Sequence, residues 1–385
     1  MRKLLPARLL SCLALLLALA QAAAAQAPAP VDTRRALASL PDSQAVLFVN
    51  ARRIVNEMLP KIMPPADYQK MLAEAQKVGF DARGVEYALV GVRLADPPPA
   101  SGLPEFVVVI RGNFNADTLL ALGRVVAGAQ NIKTRSETYG GKTLEVIDLQ
   151  ALEKPAEGAA AGAAAAEGGG GSGPKPKSMP YPEVAVTALD ASTLVAGVPA
   201  YVKAAVDSSA SGSGALKASM IDLAAHDPQA LWSLTAELPP STAEHLRKTG
   251  MPANAEVEQM ISWVKQLSIA QGMDALNYTL SASVLTDAPE HASAFSGLVR
   301  MGLLAAQTAL NQEAAKQTPK HKDYAKTQTA LAVLKGFVNR TDGSTLHLSA
   351  SVPQKAVADL IRQEMKPTPA KPTSRPARRR GRTRR

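Results

Sequence analysis

From Leu276 to Val284, apolar and polar residues alternate without a break: Leu276, Tyr278, Leu280, Ala282 and Val284 against Asn277, Thr279, Ser281 and Ser283. A period of two sends successive side chains to opposite faces of a strand, so this stretch predicts a half-buried β-strand. The pattern returns at Leu346, Leu348, Ala350 and Val352 against Thr345, His347, Ser349 and Ser351, directly after Asp342-Gly343, a strong hairpin signal. Residues 230–236 read as another strand. Helical spacing takes over at Val257, Met260, Ile261 and Val264, and again over 289–312, a helix expected to bury Phe295, Leu298, Val299 and Ala306. Val357, Leu360 and Ile361 stripe a closing helix.

The first half follows the same plan with less regular patterns. Short apolar runs at 45–49, 87–92, 106–110, 184–188 and 193–198 predict strands. Ile54, Val55, Met58, Leu59 and Ile62 mark a helix that Pro64-Pro65 interrupts, and a second helix is expected over 66–78. Asn115 is placed to cap a helix over 116–126, residues 199–206 form another, and Gly140-Gly141 reads as a hairpin turn.

Two echoes suggest duplication. Ser192-Thr193-Leu194 leading to Val198-Pro199 matches Ser344-Thr345-Leu346 leading to Val352-Pro353, and the strand–helix pair at 106–126 matches the one at 276–310. The expected fold is α+β: two related units, each an antiparallel sheet with helices packed on one face and the other face wet. The first unit spans 32–207 and carries a flexible Ala/Gly-rich insertion at 153–180, the second spans 215–365, and small residues at 208–214 link them.

The opening Leu40-Pro41-Asp42-Ser43-Gln44-Ala45-Val46-Leu47-Phe48-Val49 resembles the start of the mature domain in a loose group of uncharacterised exported bacterial proteins. That resemblance implies an extracytoplasmic α+β protein and transfers no functional residue.

Charge changes the picture only once it is divided along the chain. Lys plus Arg is 43 against 33 Asp plus Glu, a formal +10. Nine of the cations (Lys366, Lys371, Arg375, Arg378, Arg379, Arg380, Arg382, Arg384 and Arg385) fall in residues 366–385, where there is no acid. Arg2, Lys3 and Arg8 lead the chain, so the body between is near neutral and offers no domain-wide basic face to nucleic acid.

Arg2-Lys3, an apolar run over 9–19 and the Ala-rich 20–27 form the n-region, h-region and cleavage pattern of an export signal occupying residues 1–25, with Ala23-Ala24-Ala25 as the cleavage site. The run is shorter than the ~20 residues that span a bilayer, so no anchor is expected after cleavage. Leu9-Leu10-Ser11-Cys12 loosely resembles a lipobox, but most of the apolar run lies after Cys12. Removal of Cys12 leaves a chain without thiols or disulfides in a periplasmic or extracellular setting.

The tail, rich in Pro and Arg, is expected to be extended and disordered. Its partners there are anionic envelope polymers or lipid headgroups, met by Arg378, Arg379, Arg380, Arg382, Arg384 and Arg385; without interleaved aromatics, nucleic acid is disfavoured.

Catalytic chemistry finds little footing. His226, His245, His291, His321 and His347 stand apart, with no metal-ligand spacing, and no cofactor or metal is expected. Gly-rich 168–173 lacks the Gly-Lys-Ser/Thr ending of a phosphate loop. Ser262-Trp263-Val264-Lys265 fits S-x-x-K and Lys248-Thr249-Gly250 fits K-T-G, but in the order opposite to that of penicillin-recognising enzymes. His347 among strand hydroxyls is the one acid–base candidate, and those hydroxyls with Asn277, Thr279, Ser281 and Ser283 offer a polar platform. The chain reads as a non-catalytic, envelope-associated structural or interaction protein. The alternatives are a binding module for an apolar or glycan ligand, then a hydrolase with its site between the units.

Overall fold

The computed structural model describes residues 31–77, 81–93, 103–150, 181–211, 214–239, 242, 255–318 and 324–364. The expected export signal, the 153–180 insertion and the basic tail with its six named arginines lie outside the described residues, as do His245, His321 and Lys248-Thr249-Gly250.

Mixed helices and strands give the α+β class. The strands are β1 (Ala45–Val49), β2 (Val85–Arg93), β3 (Glu105–Gly112), β4 (Thr134–Tyr139), β5 (Lys142–Asp148), β6 (Glu183–Asp190), β7 (Thr193–Gly197), β8 (Ala230–Glu237), β9 (Val264–Met273), β10 (Asn277–Thr286), β11 (Val338–Asp342) and β12 (Thr345–Pro353). They form one 12-stranded sheet in the order β11-β12-β10-β9-β8-β1-β2-β3-β7-β6-β5-β4. The two expected units thus share a sheet, joined where β1 runs antiparallel to β8 with Leu47 opposite Leu234.

Local chemistry sets the corners. Gly140 and Gly141, at φ +55° and +72°, close the β4–β5 hairpin between the paired Tyr139 and Lys142, the backbone a two-residue turn with two positive φ values requires. Gly343, at φ +54°, starts the two-residue turn of the β11–β12 hairpin between Asp342 and Thr345.

The helices are α1 (Thr33–Leu37), α2 (Ala51–Arg53), α3 (Leu59–Ile62), α4 (Pro65–Lys77), α5 (Ala116–Ala129), α6 (Pro199–Ser211), α7 (Ala218–Ala224), α8 (Ala255–Trp263), α9 (Pro289–Lys316), α10 (Tyr324–Lys335) and α11 (Gln354–Glu364). A π-helical turn (Ile54–Met58) bridges α2 and α3 just ahead of Pro60, which has no N–H to give. The Asn115 side chain accepts from the Thr118 N–H and caps α5, as expected.

We call the face bearing Val46 and Phe48 the front and the face bearing Leu47 the back. On the front, α1, α6 and α7 bury Val46, Phe48, Leu89, Val107, Val109 and Val195 beneath Leu37, Tyr201 and Met220. On the back, α5 packs Leu119 and Leu120 against Val186, Ala188 and Leu194. Helices therefore cover both faces of the first half, not one as expected. The reason is that β3, β6 and β7 are nearly continuous apolar runs, with an aliphatic surface on each side.

Reading outward from the β1–β8 pair, the strand order is β2, β3, then the β7–β6 hairpin on one side, and β9, β10, then the β12–β11 hairpin on the other. The closing helices differ: α6 packs on the front, whereas α11 sends Val357 to the back, beside Tyr278 and Trp232. Beyond β6 the first side continues into β5 and β4, which have no counterpart beyond β11, so the structure does not establish the duplication expected from the sequence.

Candidate functional site

The back of the sheet is aliphatic through its middle. The register lines up Val108, Val90, Leu47, Leu234, Ile269 and Ala282 in one row crossing β3, β2, β1, β8, β9 and β10. At roughly 4.8 Å per strand, five steps make a floor about 24 Å wide. None of these six side chains is fully buried. Behind them on the front, Val109, Leu89 and Phe48 are buried completely or nearly so. Among the described residues, the helices on the back gather at the flanks: α5 over β6, α9 and α10 over β11 and β12, with α3 and α11 together at one end.

Polarity along this floor is graded. The row on one side of the centre is Phe106, Val92, Ala45, Ala236, Leu267 and Val284, all hydrocarbon. The row on the other side brings Trp232 next to Gln271, whose Oε1 accepts the indole N–H at 2.6 Å, with Leu280 beyond. One row further, Tyr278 pairs with Met273 under Ile54, Met58, Ile62 and Val357. Tyr278 is 6% exposed, and its hydroxyl has no hydrogen-bond partner among the described residues. Burial pushes its phenol pKa up, so it stays protonated and able to donate.

A second apolar feature lies between α8 and α9. Met260, Trp263, Ala294, Gly297, Leu298 and Met301, with Gln259, line an open groove of about 360 Å³. Trp263 stacks flat on His291, centroids 4.0 Å apart, and His291 Nδ1 is 2.6 Å from Asp287 Oδ1, which holds the Asp287 carboxyl below its ordinary pKa. Leu298, expected inside, is 45% exposed, and Met301 and Leu304 are 62% and 65% exposed. Ala292 and Ser296 define the buried side of α9, and Leu298 falls on the flank away from it.

The polar platform expected from the sequence does assemble. On the front, Thr279 opposes Ser351, Ser281 opposes Ser349 and Ser283 opposes His347, with Arg340 on the far side of His347. His347, Ser349 and Ser351 are exposed. Ser262 of the S-x-x-K match donates to the Gln259 carbonyl at 2.6 Å, so its hydroxyl is engaged with its own helix. Among the described residues, no group of three or more His, Cys, Asp or Glu is placed to hold a metal ion, and no helix is long and apolar enough to cross a membrane.

The strand β9 is absent from the sequence expectations, which place Val264 on a helical stripe; the alternation of Leu267 and Ile269 with Gln266 and Ser268 is the signal in the sequence that marks it.

No family model and no curated protein matches the chain. Among solved structures, crystal forms III, I and IV of TP0453 are similar at TM-scores of 0.38, 0.37 and 0.37 and identities of 7%, 8% and 8%. The alignments cover 86%, 85% and 84% of this chain and 98%, 96% and 95% of that one. A likeness of this size carries no argument about fold detail or function.

Proposed function

We propose that the chain is an exported, non-catalytic interaction protein of the cell envelope, and that the back of its sheet takes up an apolar ligand. The observation behind this reading is the contiguous aliphatic row through Val90, Leu47, Leu234 and Ile269, left part-exposed at the centre of a large sheet. Single exposed aliphatics are ordinary on any protein surface; a continuous patch marks a binding surface. Fully burying one such side chain is worth about 1.5–3 kcal/mol, and a ligand lying across the row recovers the fraction that folding leaves unrealised.

The test is titration of the full chain with a fluorescent long-chain acyl probe. Saturable binding is expected, weakened about tenfold by Leu234→Trp or Ile269→Trp, which fill the floor and keep it apolar, with melting temperature held. Absence of saturable binding, or equal binding by both filled variants, refutes the reading.

Attachment to the envelope is assigned to the tail, whose nine cations and lack of acids suit anionic polymers or lipid headgroups. Deleting residues 366–385 should release the protein from envelope fractions at low salt. Unchanged sedimentation removes that assignment.

A further inference from the structure

We infer that the ligand of the back face is an amphiphile whose head group accepts a hydrogen bond, and that the Tyr278 hydroxyl is the donor anchoring it. This rests on the apolar-ligand reading above and names the ligand class that reading leaves open.

Direction along the strands carries the inference. On the back of β10, Val284, Ala282, Leu280 and Tyr278 follow one another at about 6.8 Å steps, two residues each. The Val284 end meets only hydrocarbon across the sheet. Toward Tyr278 the neighbours become Trp232 and Gln271, and because Gln271 Oε1 takes the indole N–H, the Gln271 amide nitrogen is left as a donor. At the end of this gradient sits the Tyr278 hydroxyl, buried and unpaired.

Buried hydroxyls are almost always satisfied, and one that is not carries an uncompensated desolvation cost. The side chains packed around Tyr278 (Leu231, Met273, Ile54, Met58, Ile62 and Val357) bring it no acceptor. An acyl carboxylate fits: its hydrocarbon lies on the floor and its oxygens meet donors at one end. Arg53 stands at the same end, but its guanidinium already binds the Met273 and Gln229 carbonyls and the Glu57 carboxylate. The anchor is therefore a hydrogen bond, not a free cation, and Ile62 of α3 and Val357 of α11 pack in the same cluster as the Tyr278 ring.

The experiment compares two amphiphiles of equal chain length on the full protein and on Tyr278→Phe. Dodecanoate accepts hydrogen bonds; dodecyltrimethylammonium does not. Both should bind the unaltered chain through the floor. Tyr278→Phe should weaken dodecanoate about tenfold, the size of one charge-assisted hydrogen bond, and leave dodecyltrimethylammonium within twofold. Equal effects on both, or none on either, overturn the anchor while leaving the apolar surface standing. If neither amphiphile binds the unaltered chain, the surface reading fails and the anchor fails with it. Thermal melting of the variant, expected not to fall, separates these outcomes from misfolding.

Discussion

Tyr278→Phe tests the anchor without any ligand. The substitution keeps the ring among Leu231, Met273 and Val357 and removes one oxygen atom. With that oxygen buried and unpartnered, the folded chain forgoes a hydroxyl–water hydrogen bond that the unfolded chain keeps. The desolvation penalty for such a group is about 1–3 kcal/mol, so Tyr278→Phe should raise stability by roughly 1 kcal/mol or more. Tyr201 is the matched control. Its side chain is fully buried, but its hydroxyl lies 2.5 Å from Ser43 Oγ and donates to the Asp42 carbonyl at 2.6 Å. Tyr201→Phe should therefore cost about 1–3 kcal/mol. Urea unfolding followed by circular dichroism reads both as midpoint shifts in opposite directions at constant slope. A destabilised Tyr278→Phe would show that this hydroxyl is satisfied in the free protein, and the reasoning behind the anchor would fall.

The remaining predictions concern the first half of the sheet. Burial, the largest cause, pushes the Tyr201 pKa from 10.0 up to about 12. The folded state holds that proton more tightly, so the associated stability is full below pH 10 and is lost as pH rises toward 12, by about 3 kcal/mol at most. Alkaline unfolding should flatten in Tyr201→Phe over that window, and an unchanged slope would assign the loss elsewhere. At Gly197, an added Cβ would sit 2.3 Å from the Phe106 carbonyl oxygen and 2.9 Å from Val107 Cα. Gly197→Ala must push β7 off β3, and a thermal melt should show a loss of about 1–3 kcal/mol; wild-type melting would refute the close approach.

The sequence made the elements of the second half legible wherever alternation was strict. Residues 277–283 and 345–351 fell on the expected faces, and their polar members meet across β10 and β12. Turns were legible for the same reason: Gly140, Gly141 and Gly343 occupy backbone conformations open mainly to glycine. What the patterns could not show was pairing between distant strands. Nothing in the ten residues around β1 says that its neighbours are β2 and β8, and only that adjacency lines Leu47 up with both Val90 and Leu234. Tyr278 read as one more apolar position in a strand. Its hydroxyl becomes a signal only when the Ile54–Met58 turn and α11 close over it without offering an acceptor.

The arrangement of cover on the two faces separates the floor from incidental surface. On the front of β8 and β9, the buried positions include, beside the small Ala230 and Ala270, three hydroxyls: Ser233, Thr235 and Ser268. They are kept from solvent by hydrogen bonds close at hand, Ser233 to the Ala224 carbonyl at 2.9 Å and Thr235 with Ser268 at 3.3 Å. The same two strands turn Leu234, Ile269 and Leu267 to the back, where they stay part-exposed. Stability alone favours the reverse, since each Å² of aliphatic surface withdrawn from water contributes about 25 cal/mol and a buried hydroxyl pair little net. Yet α7 is packed over the hydroxyls, with Met220 and Ala224 facing the front. A sheet that places a helix over Ser233 and leaves Leu234, Leu267 and Ile269 part-exposed has kept that stretch of apolar surface available for something other than its own core, and binding supplies the missing burial.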